Sequence, residues 1–161
     1  MNKLNHFIFA LALCLIFVEL NFLNLFYSIL FTLIFAVFID YDHKIFKKKP
    51  WFHQRTWIQE PLGFVFIAIP TAFLLSFLNE LFFTLVLVPY GTHILLDYLC
   101  VFETYPLAPF SKVKKREGLG IFIPNSEKWK EWQIKGVSEN YFLVFNIIFI
   151  FLILIFKLFL Q

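Results

Sequence analysis

Long apolar runs alternate with shorter polar segments along the chain, and this pattern predicts a bundle of membrane-spanning helices. Apolar runs near or above ~18 residues are typical of helices that cross a bilayer. The sequence contains five candidates, at about residues 4–20, 25–39, 62–78, 81–99 and 141–160. We therefore predict an all-α integral membrane protein with five transmembrane helices, arranged as two helical hairpins followed by a C-terminal helix.

The polar segments at residues 40–61 and 100–140 separate these runs, and the other two connections are short. The longer segment is predicted to form a turn-rich loop or small cap, because it contains Pro106, Pro109, Gly118, Gly120 and Pro124. Residues 1–161 are thus expected to form a single membrane domain. We expect the first run to be retained as a span, because no convincing signal cleavage site follows it.

Three residues within this pattern predict local features. Pro70 should kink the third span. Ser138 suits the N-cap of the last helix. Lys157 can extend its ammonium group outward from the end of that helix.

Composition agrees with a membrane protein and indicates its orientation. Hydrophobic residues make up 60% of the chain and charged residues only 16%, with a net charge of +3. Every Lys and Arg except Lys157 lies near the N-terminus or in the two polar segments. The positive-inside rule therefore predicts a multi-pass protein of the cell membrane, with its N-terminus in the cytoplasm and its C-terminus outside.

The basic residues also bear on partners. The run Lys47-Lys48-Lys49 is best explained as a topology signal, with accompanying contact to anionic lipid headgroups. Membrane lipids are therefore the expected partners. Nucleic acid is disfavoured, because neither polar segment shows a recognisable nucleic-acid-binding fold. The sequence does not indicate an oligomeric state.

Metal-capable side chains collect at one predicted side of the membrane. Asp40-Tyr41-Asp42-His43 stands where the second apolar run stops, and the remaining histidines fall on the same side. Ionisable residues at such depths are costly and are by default candidates for function. The alternative is that they are polar helix ends at the water boundary. These remaining residues are His6, His53 and His93, the last accompanied by Asp97.

The spacing of these side chains allows a shared ion. His93 and Asp97 are four residues apart, so they lie on one face of a helix. Asp40 and His43 share a face if the helix continues, whereas Asp40 and Asp42 share a side if the chain is extended. Taken singly, the residues could be an interfacial His6, a solvated His53 and a structural His93–Asp97 pair. Taken together, they favour a site for zinc, or for manganese or iron.

With these residues, the sequence resembles the YdjM-like family of membrane-bound metal-dependent hydrolases and its archaeal relatives. The matching motifs are His6, Asp40-Tyr41-Asp42-His43, His93-Ile94-Leu95-Leu96-Asp97, Pro106-Leu107-Ala108-Pro109-Phe110 and Gly118-Leu119-Gly120-Ile121-Phe122. One segment departs from the family pattern, since Gln54 and Gln59 stand where those proteins have histidines. His53 and Glu60 are adjacent and could substitute, or the site could be incomplete.

The residues and the resemblance together lead to a functional prediction. We expect a metal-dependent hydrolase, acting on a phosphoester or lipid-linked substrate at the cytoplasmic face. Asp40 is expected to be a ligand or the general base, and Arg55 to hold a phosphate by a bidentate contact. The other expected ligands are Asp42, His43, His93 and Asp97, with His6 and His53 as further candidates.

Two other functions compete with this prediction. A catalytically degenerate, membrane-anchored binding or scaffold protein would dock a partner through its basic loops, and Gln54 and Gln59 favour that alternative. A metal-ion carrier is disfavoured, because Asn146 is the only polar residue deep within its span.

Overall fold

The computed structural model describes residues 3–41, 56–100, 103–104, 116–117, 119, 121–123 and 137–160. Within them the chain is predominantly helical, as the apolar runs predict. The helices are α1 (Lys3–Phe17), α2 (Phe22–Tyr41), α3 (Pro61–Ser76), α4 (Leu81–Leu99) and α5 (Glu139–Leu160). The prediction of an all-α fold class is therefore confirmed for the described residues.

Three of these helices are long and apolar enough to cross a membrane, namely α2, α4 and α5. The other two, α1 and α3, are apolar but shorter than 18 residues. In the region after α4, the structure describes two short strand pairs. Strands β1 (Glu103–Thr104) and β2 (Arg116–Glu117) pair antiparallel, and β3 (Phe122–Ile123) and β4 (Val137–Ser138) pair parallel.

Helix α4 lies at the centre of the bundle and packs against α1, α2 and α3, while α5 packs on the outer side of α1. Small residues allow this close approach, as is usual between helices in a membrane. The fully buried alanines are Ala10, Ala12, Ala36, Ala68 and Ala72. Large apolar side chains instead cover the outside of the bundle, Phe73, Phe151 and Phe159 among them. Such an apolar exterior suits contact with lipid.

Two of the helices contain a π turn, which inserts an extra residue into the regular helical hydrogen bonding. The turn in α2 covers Leu33–Val37 and passes into a 3₁₀ turn over Phe38–Tyr41. The turn in α3 covers Phe64–Ala68 and directly precedes the segment that contains Pro70. Proline lacks an N–H and its ring crowds the carbonyl one turn earlier. The irregularity expected at Pro70 therefore coincides with this π turn.

Polar side chains satisfy backbone groups at several helix ends. The hydroxyl of Ser138 accepts from the backbone N–H of Asn140 at 3.4 Å, which confirms the predicted cap. Asn21 likewise accepts from the N–H of Asn24 at 2.8 Å at the start of α2. Lys157 differs from the prediction, because its ammonium group donates to the carbonyl of Val18, just beyond α1. Helix-terminal carbonyls lack partners within the helix, so this one binds the nearby cation.

The segment before α3 is anchored to both neighbouring helices. A 3₁₀ turn covers Trp57–Gln59, and the hydroxyl of Tyr90 on α4 donates to the carbonyl of Ile58 at 2.5 Å. The amide of Gln59 donates to the carbonyl of Ile39 at 3.3 Å, and the hydroxyl of Tyr98 donates to Glu60 at 2.6 Å. These bonds hold the segment between the end of α2 and the last turns of α4.

Candidate metal centre

Four ionisable side chains meet at the end of the bundle where α1 begins and α2 and α4 finish. His6 comes from the first two turns of α1, and Asp40 from the 3₁₀ turn that ends α2. His93 and Asp97 come from the last two turns of α4. Since α4 packs against both α1 and α2, these separate parts of the sequence become neighbours.

The distances within this cluster are short. Nε2 of His6 lies 3.2 Å from Oδ1 of Asp97, and Nε2 of His93 lies 3.3 Å from Oδ2 of the same residue. Nε2 of His93 is also 3.5 Å from Oδ1 of Asp40. The two imidazole rings stack with their centroids 4.5 Å apart. The predicted adjacency of His93 and Asp97 is therefore confirmed.

Three of these side chains are arranged as a ligand set. One ligand atom from each of His6, Asp40 and His93 lies within 4.8 Å of the other two. Atoms that bind one zinc ion are each ~2 Å from it, so their mutual separations must be below ~4–5 Å. The group meets that geometric condition, and its two imidazoles and a carboxylate are donors that zinc accepts.

The backbone of α2 orients the ring of His93. Its Nδ1 lies 2.9 Å from the carbonyl oxygen of Ala36, which accepts hydrogen bonds only. His93 therefore donates from Nδ1, and its Nε2 points toward Asp40 and Asp97. Metal-binding histidines are commonly held in this way, with the nitrogen that does not bind the ion donating to a carbonyl or carboxylate. Ala36 lies within the π turn, a feature often found at functional sites.

The charges around Nε2 of His93 require a compensating positive charge. A neutral imidazole that donates from Nδ1 presents a lone pair at Nε2, which here faces two carboxylates. Acceptors facing one another are repulsive unless a proton or a cation lies between them. Nε2 of His93 and both ring nitrogens of His6 have no partner that meets hydrogen-bond geometry within the described residues. A shared cation would satisfy Nε2 of His93 and one of the two ring nitrogens of His6.

Burial leaves one side of the cluster open. His6 and His93 are fully buried and Asp97 is nearly so. The side chain of Asp40 is 19% exposed, which makes it the most accessible member. Solvent or a substrate would therefore reach the cluster past Asp40.

The structure brings together four of the predicted site residues, namely His6, Asp40, His93 and Asp97. The other four, Asp42, His43, His53 and Arg55, lie outside the described residues, as does Gln54. Asp40 lies in a 3₁₀ turn that extends to Tyr41, which agrees with the alternative in which the helix continues past Asp40. His43, the expected neighbour of Asp40 on that helix face, lies outside the described residues.

Sequence reasoning missed two contributors to the site. The carbonyl of Ala36 could not be found, since no side-chain signal marks it. The role of Gln59 is also new, because its amide binds the carbonyl of Ile39 directly beside Asp40. Its place at a family histidine position was the only available signal.

Comparison with known proteins supports the resemblance drawn from the motifs. No curated protein and no solved structure matches the chain. A family model described as YdjM inner membrane protein matches residues 1–161. The motifs that carry the resemblance all lie within this range. The chain therefore belongs to the YdjM inner membrane protein family.

Proposed function

We propose that this membrane protein is a metal-dependent hydrolase whose substrate is a phosphoester, either lipid-linked or lying at the membrane surface. The observation that carries the proposal is the convergence of His6, Asp40 and His93 from three helices, with ligand atoms within 4.8 Å of one another. Ionisable residues at the ends of apolar helices are costly in free energy, so their presence favours a functional role.

The four clustered residues would have different roles in this hydrolase. His6, His93 and Asp40 would hold a divalent cation, with zinc favoured over manganese or iron because two imidazoles are present. The cation would supply Lewis-acid polarisation of a substrate oxygen. Asp97 contacts both histidines and would fix their orientation, or act as a further ligand. Asp40 is the most accessible carboxylate and also remains the candidate general base.

The residues outside the described ranges keep their predicted roles in this proposal. Asp42 and His43, which follow Asp40 after Tyr41, would complete the ligand set, with His53 as a further candidate. Arg55 would contribute a bidentate contact to a phosphate.

The same proposal includes a topology. All five apolar helices would cross the membrane as two hairpins followed by α5, in a single domain formed by residues 1–161. The N-terminus and both polar segments would face the cytoplasm, and the C-terminus would lie outside. The cluster, at the start of α1 and the ends of α2 and α4, would then lie at the cytoplasmic headgroup level.

Metal content tests the proposal directly. Protein purified in detergent should contain close to one equivalent of zinc, manganese or iron. His93→Ala and Asp97→Ala should each lose most of it, because the first removes a ligand and the second releases both imidazoles. Second-shell partners alone typically change metal affinity by about 10–100-fold.

A matched control is available in Glu60→Gln. Glu60 is also a buried carboxylate near the end of α4, where it accepts from Tyr98, but it is not in the ligand group. Glu60→Gln should keep its metal. Wild-type protein that binds no metal after incubation with all three ions would exclude the hydrolase proposal.

A membrane-anchored binding protein is the second candidate, and one observation favours it. Gln59 stands at a family histidine position and is buried, with its amide donating to the carbonyl of Ile39. That side chain therefore has a structural role here. Absence of metal in the wild-type protein would make this candidate the leading one.

A further inference from the structure

We propose that Lys3, held by Tyr41, forms an anion-binding subsite at the open side of the cluster and binds the phosphate group of the substrate. This inference rests on the proposed function and deepens it, because it assigns a residue to substrate recognition. It also commits to a substrate class, a phosphate monoester or diester.

The first observation is a contact between the two residues. The ammonium nitrogen of Lys3 lies 3.6 Å from the centroid of the Tyr41 ring. A cation over an aromatic face is attracted by the ring, by about 0.5–1 kcal/mol at an exposed site. This contact restrains a long side chain that would otherwise sample many rotamers. It leaves the N–H donors of Lys3 directed away from the ring available to a ligand.

The second observation is where this pair lies. Lys3 is three residues before His6 on α1, so the two side chains lie on one face of the helix, one turn apart. Tyr41 directly follows Asp40, the most exposed member of the cluster. The Lys3–Tyr41 pair therefore adjoins cluster residues along two helices, and Asp40 is the accessible residue among them.

The carboxylates of the described cluster favour a further cation beside it when the substrate is anionic. Asp40 and Asp97 carry two negative charges, which a bound divalent cation would only balance. A phosphate ester would then approach a neutral site with an exposed carboxylate at its edge. Lys3 adds one positive charge, and lysine binds phosphate well as a compact point charge. No acidic partner of Lys3 occurs among the residues that the structure describes, so its charge is available.

Binding of inorganic phosphate tests the subsite. Radiolabelled phosphate would be titrated into metal-loaded protein in a neutral detergent. Lys3→Gln should weaken binding by about tenfold, equivalent to about 1.4 kcal/mol, with unchanged metal content. Lys3→Arg should restore most of the affinity, since arginine keeps the charge and also stacks on aromatic rings. Tyr41→Leu should weaken binding less than Lys3→Gln.

Lys157→Gln is the matched control, because it removes the same charge at the far end of α5. It should bind phosphate as the wild-type protein does. Equal affinities of wild-type protein and Lys3→Gln would overturn the proposal, as would no phosphate binding by the wild type or an equal loss in Lys157→Gln. Phosphate binding that depends on Lys3 in a protein without metal would support the subsite and exclude the hydrolase.

Competition with lipids distinguishes a lipid headgroup from a soluble phosphoester as the ligand of the subsite. The labelled phosphate would be competed with nanodisc-embedded phosphatidic acid, with phosphatidylcholine as the reference lipid. Displacement by phosphatidic acid alone would support the subsite and assign it to a lipid headgroup. Lys3-dependent binding of free phosphate without displacement would also support it, and assign it to a soluble phosphoester.

Discussion

At the scale of single residues, the cluster depends on backbone groups as much as on its ionisable side chains. Spacing alone predicts that His93 and Asp97 share a face of α4, and they are 3.3 Å apart. Which nitrogen of His93 faces Asp97 could not be predicted, because it is set by the carbonyl of Ala36. That carbonyl belongs to a π turn, and the surrounding apolar sequence carries no signal for one.

Cys100 provides a test of burial just beyond the end of α4. Burial raises the pKa of its thiol from 9.0 to about 11. Only the thiolate is nucleophilic, so we expect Cys100 to react very slowly with a maleimide at pH 8. Because the folded-state pKa is the higher one, this group stabilises the fold at pH below 9.0, and that contribution is lost as pH rises through about 11.

The maleimide measurement would use Cys14→Ala, so that Cys100 is the remaining cysteine. Native protein should label slowly and denatured protein rapidly at the same pH. Rapid labelling of the native protein would show that Cys100 is not buried in solution.

Two glycines allow a matched test of close packing. A Cβ at Gly63 would lie 2.2 Å from the backbone oxygen of Ile58, whereas one at Gly91 would meet the ring of Phe64 at 3.3 Å. The backbone of Ile58 cannot move aside as readily as the ring of Phe64 can. Gly63→Ala should therefore destabilise the protein by about 1–3 kcal/mol, and Gly91→Ala by less. Thermal unfolding in detergent would compare them, and equal melting temperatures would contradict this account.

At the scale of elements, hydropathy predicts all five helices and places their bounds within a few residues. It succeeds because lipid permits only backbone that satisfies its own hydrogen bonds. It does not predict how the helices are tied together. The anchoring of the segment before α3 depends on Tyr90 and Tyr98 reaching Ile58 and Glu60 across the bundle. These contacts follow from tertiary packing and have no periodic signal.

The attachment of α5 to α1 can be tested through Asn146. This buried side chain donates to Oδ1 of Asn5 at 3.3 Å, and Asn5 donates to the carbonyl of Glu139 at 3.1 Å. Hydrogen bonds between helices in membranes are worth about 0.6–2 kcal/mol. Asn146→Leu should lower the melting temperature in detergent by an amount that corresponds to this range.

Asn140→Leu is the control for this change, because Asn140 lies on the same helix with an exposed side chain. Its melting temperature should remain close to that of the wild type. Since Asn5 precedes His6, Asn146→Leu should also weaken metal binding. An unchanged melting temperature for Asn146→Leu would show that the network does not hold α5 in place.

At the scale of the whole molecule, helix length explains why five apolar runs give three helices long enough to span. Helix α1 has 15 residues. At about 1.5 Å per residue it is roughly 22 Å long, whereas a hydrocarbon core is about 30 Å thick. A short helix can be accommodated by local thinning of the bilayer or by its polar ends reaching the interface. His6 lies at such an end, which would bring the cluster close to the lipid headgroups.

The proposed topology gives the last prediction. Single cysteines would be introduced into a variant lacking Cys14 and Cys100, at Lys47, Lys128, Asn79 and Gln161. Intact cells would then be treated with a membrane-impermeant thiol reagent. If the N-terminus and both polar segments are cytoplasmic, Asn79→Cys and Gln161→Cys should be labelled, whereas Lys47→Cys and Lys128→Cys should react only after the cells are opened. The positive-inside rule supports this outcome, because nearly all basic residues lie in those segments.

Labelling of Lys47→Cys in intact cells would instead indicate the opposite orientation and place the cluster on the outer face. Labelling of Gln161→Cys only after the cells are opened, with Asn79→Cys labelled in intact cells, would show an odd number of crossings between these two positions, so that either α4 or α5 would not span.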